Sequence, residues 1–89
     1  MISTKTNIQI PVVVIPTKTE CTVFIPDLNV TIHGRDIVEA LALSISYASA
    51  IYFYNVERNI KLPMDTTYEQ AEEKCPSRKS FVTYIGLSK

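Results

Sequence analysis

The sequence is poor in the residue types that mark metal sites, disulfide scaffolds and catalytic centres. Its 89 residues include no tryptophan, two glycines, one histidine and two cysteines. Cys21 and Cys75 lack the spacing of a metal-binding pair, so we expect two free thiols in a reducing cytoplasm rather than a disulfide. We interpret His33 as a polar residue at a strand end rather than as a general base. The sequence therefore predicts no catalytic residue, no metal site and no cofactor.

The sequence also lacks a net charge and a long uninterrupted apolar run. Nine basic and nine acidic residues balance, which argues against a nucleic-acid-binding surface, because such surfaces normally carry a basic excess. Serines interrupt the longest apolar segment, so we expect no membrane span. The N-terminal residues lack the basic, apolar and cleavage regions of a signal peptide. We therefore expect a cytoplasmic protein.

One long apolar helix organises the rest of the chain, and we place it from Asp36 to about Asn55. The segment contains no glycine or proline that would break a helix. Asp36 is predicted to be the N-cap, with Glu39 as the capping-box acid three residues later. At about 100° per residue, one stripe of this helix should face the core. That stripe comprises Ile37, Leu41, Ile45, Ala48 and Tyr52.

A second set of apolar side chains lies outside this stripe, so the helix is apolar over much more than the third of its circumference that a small sheet would cover. Leu43, Tyr47 and Tyr54 continue the apolar arc, and Phe53 lies on the narrow polar strip of the helix. We predict that these four residues form an interface with a partner or with a second copy, between which the sequence does not decide. The alternative is that segment 56–63 folds back and covers the tyrosines.

Four strands and a short helix are predicted around the long helix. The strands are Ile8–Ile15, Cys21–Ile25, Leu28–His33 and Ser80–Leu87, and the short helix is capped by Thr66 or Thr67 and runs through Gln70 to Lys74. The prediction is one α+β domain over residues 1–89, in the order β-β-β-α-(α)-β. We expect a four-stranded mixed sheet of order 3-2-1-4, with the long helix on one face and the last strand parallel to the third.

Several short motifs occur in a characteristic order within residues 10–87. A strand ends in Pro26-Asp27-Leu28, a glycine precedes the long helix, and that helix opens with an acid and a Glu-Ala-Leu step. A segment reading Ile60-Lys61-Leu62-Pro63 follows the helix. In this order the motifs resemble the HicB family of antitoxins, whose core domain is a degenerate RNase H-like fold. The motif residues are Pro26, Asp27, Leu28, Gly34, Asp36, Glu39 and Ala40.

The resemblance implies a non-catalytic protein that binds a small basic HicA-type ribonuclease toxin, covers its active site and self-associates as a dimer or tetramer. Asn29-Val30 stands where the family commonly has a Gly-Cys pair. Many family members carry a C-terminal DNA-binding domain. Since this chain ends just after its last predicted strand, we expect direct DNA contact only if a further C-terminal segment exists. The alternatives are an orphan self-associating scaffold domain without a toxin, and an RNA or small-ligand binder.

An RNase H-like fold raises the possibility of nuclease activity, which needs several carboxylates converging on two metal ions. The candidates are Asp27, Asp36 and Glu39. We interpret them instead as a turn residue, an N-cap and a capping-box acid. The sequence therefore predicts a binding protein rather than an enzyme.

Overall fold

The fold has six elements in the predicted order. A computed structural model describes residues 8–88. The elements are β1 (Ile8–Pro16), β2 (Cys21–Ile25), β3 (Val30–Gly34), α1 (Ile37–Glu57), α2 (Tyr68–Glu72) and β4 (Phe81–Leu87). The strands form one sheet of order β3-β2-β1-β4. The α+β class, the strand order and the position of the short helix before the last strand are thus confirmed.

The direction of β4 differs from the prediction. β4 pairs antiparallel with β1, so the sheet is antiparallel throughout and the expectation of a mixed sheet is wrong. The reason lies in the connection after α1, which the Thr66 backbone N–H ties to the β2–β3 turn by donating to Asp27 Oδ1 at 3.0 Å. α2 then carries the chain back across the sheet, next to β1 and β4. Between β3 and β4 the chain thus crosses the sheet twice, first along α1 and then along α2, instead of once. The second crossing reverses the direction of the last strand.

The central strand β1 is covered on both faces, as its unbroken apolar run predicts. Val12 and Val14 belong to the cluster that packs beneath α1, and Val13 points to the opposite face. All three are 0% exposed. Ala71 of α2 is buried as well and lies outside the α1 cluster. The two helices therefore cover opposite faces of one sheet.

Small residues bring α1 very close to the sheet. Ala40, Ser44 and Ala48 are fully buried. A Cβ atom added to Gly34 would lie 2.5 Å from the backbone nitrogen of Ala40. The fully buried positions of α1 are therefore small residues: Ala48 belongs to the predicted core stripe, and Ala40 and Ser44 lie beside it. Ile37, predicted to lie in that stripe, is 38% exposed.

Two residues of the predicted polar strip, which comprises Glu39, Ser46, Ser49 and Phe53, also face inward. Ser49 is buried, and its hydroxyl oxygen accepts a hydrogen bond from the Ser88 backbone N–H at 3.0 Å. Phe53 is half-buried against the core and meets Tyr52 edge-to-face, with ring centroids 5.0 Å apart. Ser88, which follows β4, lies beside this side of α1. A contact over such a distance along the chain cannot be predicted from the periodicity of the helix.

By length and composition alone, α1 is also apolar enough to cross a membrane. The serines alone therefore do not exclude a membrane span, and the expectation of none stays a prediction. Within the fold, α1 packs against β2, β3 and β4 as a core helix. Only 22% of its most apolar 18-residue window is buried, however. α1 thus has more apolar surface than its packing on the sheet buries.

Candidate functional site

The acidic motif residues at the start of α1 hold the helix N-terminus. The Glu39 backbone N–H donates to Asp36 Oδ1 at 2.8 Å, which makes Asp36 the N-cap, as predicted. Glu39 Oε1 accepts from the backbone N–H of Arg35 at 2.7 Å, one residue before the position that a capping box would use. The Arg35 guanidinium also pairs with Glu39 at 3.1 Å. These hydrogen bonds lower the pKa of Glu39, that from the Arg35 backbone most of all.

The Pro26-Asp27-Leu28 motif forms the turn between β2 and β3. The Asn29 backbone N–H donates to the Pro26 carbonyl at 3.2 Å, and Asn29 adopts φ 54° in the left-handed region, which asparagine tolerates. One oxygen of Asp27 anchors the connection after α1, and its other oxygen is buried without a hydrogen-bond partner among residues 8–88. Asp27 thus has a structural role, because it holds the connection after α1 against the β2–β3 turn.

The histidine and the cysteines lie in separate surroundings. His33 Nδ1 lies 3.1 Å from the Thr22 hydroxyl across the β2–β3 pair, on an exposed part of the sheet. Both thiols are free, and burial raises the pKa of Cys21 and of Cys75. Within residues 8–88, no group of three or more His, Cys, Asp or Glu side chains is arranged to hold a metal ion.

Three of the four predicted interface residues form one exposed apolar surface. Leu43, Tyr47 and Tyr54 are 46%, 43% and 56% exposed on the side of α1 away from the sheet. We call them the α1 outer stripe. The Arg58 guanidinium lies 4.3 Å from the centroid of the Tyr54 ring, a cation–π contact at one end of the stripe.

The connection that follows α1 leaves most of this stripe uncovered. Residues 60–65 line a groove with Tyr52 and Val56 instead, on another side of the helix. Apart from Arg58, which stacks on the Tyr54 ring, segment 56–63 therefore does not fold back over the tyrosines, and Tyr47 and Tyr54 remain about half exposed. Phe53, the fourth predicted residue, does not join them, because it packs against the core.

A second surface, which the sequence analysis missed, surrounds α2. Residues 62–73 contain four acidic residues and no basic one. All four are exposed. They are Asp65, Glu69, Glu72 and Glu73, and together with the exposed Tyr68 and Tyr84 we call them the α2 acidic surface. The run of acids is visible in the sequence, but the contribution of Tyr84 depends on where β4 lies.

Two features hold the α2 acidic surface in place. Thr67 and Gln70 form a reciprocal capping box, in which the Gln70 backbone N–H donates to Thr67 Oγ1 at 3.1 Å and the Thr67 backbone N–H donates to Gln70 Oε1 at 3.0 Å. The rings of Tyr68 and Tyr84 stack with centroids 6.5 Å apart and an interplanar angle of 27°. This stack joins α2 to β4 and presents two partly exposed aromatic rings beside the acids.

The two surfaces lie on opposite faces of the sheet and differ in chemistry. The α1 outer stripe is apolar with charged residues at its ends, whereas the α2 acidic surface combines carboxylates with tyrosines. Comparison with family models, with curated proteins and with solved structures finds no match for this chain.

Proposed function

We propose that this protein is an antitoxin-like component of a type II toxin–antitoxin system, which acts in the cytoplasm by binding and masking a small basic HicA-type ribonuclease. The HicB-like order of motifs suggests the class of partner. The observation that carries the proposal is the α2 acidic surface. Its four carboxylates and two exposed tyrosines offer what a basic protein surface binds, namely opposite charge together with aromatic anchors.

The mechanism needs no chemistry from this chain. A standard interface buries about 800 Å² on each partner, and an area of this size laid over a small nuclease is enough to exclude RNA from its active site. Carboxylates opposite the cationic groups that hold RNA would compete directly with phosphate for them. Electrostatic attraction of this kind raises the association rate and weakens as salt increases.

The test is co-elution of the full chain with the product of an adjacent gene that encodes a small basic protein, measured by size exclusion with light scattering. We expect a stoichiometric complex in which the partner no longer cleaves RNA. A partner that elutes separately and keeps its ribonuclease activity in the presence of excess protein would refute the proposal.

Charge reversal on α2 tests which surface is used. The double substitution Glu69→Lys with Glu72→Lys should slow association on the order of tenfold or more at low salt and flatten its salt dependence. Glu20→Lys on the β1–β2 turn is the control for a change of surface charge, because Glu20 is also exposed and lies outside the α2 acidic surface. Equal effects of the control and of the double substitution would rule out the α2 acidic surface as the binding site.

The α1 outer stripe favours a second candidate function, that of an orphan interaction domain that only self-associates. Such a domain would use its exposed apolar helix and would have no need of an acidic surface. A homo-oligomer that ignores the neighbouring gene product and is unaffected by charge reversal on α2 would favour this function over the first.

A further inference from the structure

We infer that two copies of this chain pair through the α1 outer stripe as an antiparallel helix pair, with Tyr47 at the two-fold axis. This inference is independent of the proposed antitoxin function, since the stripe and the α2 acidic surface lie on opposite faces of the sheet, and it deepens the second candidate function. It specifies that a second copy of the chain covers the stripe, and it specifies which residues of the two helices meet.

The residues of the stripe are aligned along the helix axis. At about 100° per residue, Leu43, Tyr47 and Tyr54 lie within roughly 40° of one line along α1. The N-cap Asp36 stands at the start of the helix. Arg58 joins its far end by stacking on the Tyr54 ring. The line therefore begins with an acid, continues through apolar side chains and ends with a base.

This order of charges is self-complementary when two helices run in opposite directions. Asp36 and Arg58 are 22 positions apart, about 33 Å at a rise of ~1.5 Å per residue, and Tyr47 is midway between them. A two-fold axis at Tyr47 places Asp36 of one copy beside Arg58 of the other, twice in the same dimer. The N-cap hydrogen bond uses Oδ1 of Asp36 and leaves Oδ2 for such a contact.

A parallel arrangement would lack these advantages. It would place like charges side by side at both ends and align the two helix dipoles, whereas the antiparallel arrangement sets each dipole against its opposite. Since the formal net charge of the chain is zero, long-range repulsion does not oppose pairing. The geometry therefore favours one orientation of a second copy.

The size of the stripe indicates a weak dimer. A fully buried tyrosine contributes about 150–250 Å², so the half-exposed Tyr47 and Tyr54 leave roughly 100 Å² each to bury. Leu43 and the neighbouring small residues raise this to roughly 400 Å² per copy, or roughly 800 Å² in total, below the range of about 1,200–2,000 Å² for stable specific interfaces. We expect a dissociation constant on the order of micromolar, so the dimer should dissociate upon dilution.

Sedimentation equilibrium of the full chain at protein concentrations from about 1 to 500 µM tests this inference. We expect the mass to rise from the 10.0 kDa of one chain toward twice that value. Tyr47→Glu should abolish the rise, because it places two carboxylates together at the axis. Val38→Glu is the matched control, since Val38 is 78% exposed on the same helix, half a turn away from Tyr47. A wild-type chain that stays monomeric throughout would overturn the inference.

Cysteine cross-linking in a Cys75→Ser background tests the register. Tyr47→Cys should form a disulfide-linked dimer upon mild oxidation, because the two copies of this position meet at the axis. Tyr54→Cys should not, since its two copies would lie about 20 Å apart, beyond the ~7 Å between Cα atoms that a disulfide spans. Cross-linking at both positions would refute the antiparallel register. Binding of a monomeric chain to phospholipid vesicles would show that the stripe contacts a lipid surface instead.

Discussion

Substitution of Gly34 by alanine tests how closely α1 packs on the sheet. An added Cβ atom would lie 2.5 Å from the backbone nitrogen and 2.7 Å from the Cα of Ala40. Ordinary van der Waals contact begins at 3.4 Å, so the first turn of α1 would have to move by roughly 1 Å. Both neighbouring atoms belong to the helix backbone, and a change of rotamer therefore cannot relieve the clash.

The cost of this displacement is large relative to the stability of a domain of this size. Overpacking costs about 1–3 kcal/mol, and weakening of the Asp36 cap adds about 1 kcal/mol. We therefore expect Gly34→Ala to lower the free energy of unfolding by about 2–4 kcal/mol. Chains of this length have roughly 4–13 kcal/mol in total. At about 4–8 °C per kcal/mol, Tm should fall by roughly 8–32 °C.

Gly86→Ala is the matched control, because no atom lies within 4 Å of a Cβ added at Gly86. The same chemical change there should alter the free energy of unfolding by less than about 0.5 kcal/mol. Urea and thermal denaturation followed by circular dichroism, at one protein concentration, would measure both variants. If Gly34→Ala were as stable as Gly86→Ala, the close packing of α1 against the end of β3 would be refuted.

Two further predictions follow from the titratable groups. Iodoacetamide should modify the half-buried Cys75 at least about tenfold faster than Cys21, which is 1% exposed, as followed by peptide mass spectrometry; equal rates would contradict the burial of Cys21. Because the pKa of Glu39 is lowered in the folded chain, its contribution to stability is present above its usual pKa of 4.5 and is lost as the pH falls through the folded value. Glu39→Gln should therefore lower the urea midpoint at pH 7 but have little effect near pH 2, and an equal loss at both pH values would show that its charge is not involved.

Local signals in the sequence predict the elements well. β2 begins and ends at the predicted residues, because a polar turn precedes it and Pro26 follows it. α1 starts after Asp36, as the predicted N-cap indicates. The antiparallel direction of β4 could not be predicted in the same way. It depends on the path of the connection over the opposite face, which the long-range contact between Asp27 and Thr66 holds.

The orientation of α1 was only partly predictable for a physical reason. A helix that is apolar nearly all round has no single face that hydrophobicity can identify. Steric fit instead decides which side of α1 faces the sheet. Gly34 leaves room for the backbone of Ala40, and the next fully buried positions, Ser44 and Ala48, are small as well. Tyr47 and Tyr54 are thereby placed outside, where the sequence analysis had put them. Phe53 lies apart from the tyrosines, since its inward position depends on the core that α1 packs against.

The opposite placement of the two surfaces leads to a prediction about stoichiometry. If α1 pairs two copies and α2 binds the basic partner, the complex should contain two chains of each, with the partners at its far ends. Tyr47→Glu should then halve the mass of the complex without weakening each contact, whereas charge reversal on α2 should release the partner and leave the dimer intact. Mass measurements by light scattering separate the two effects. A Tyr47→Glu variant that no longer binds the partner would show instead that the α1 outer stripe contacts the partner, or that binding requires both copies of the dimer.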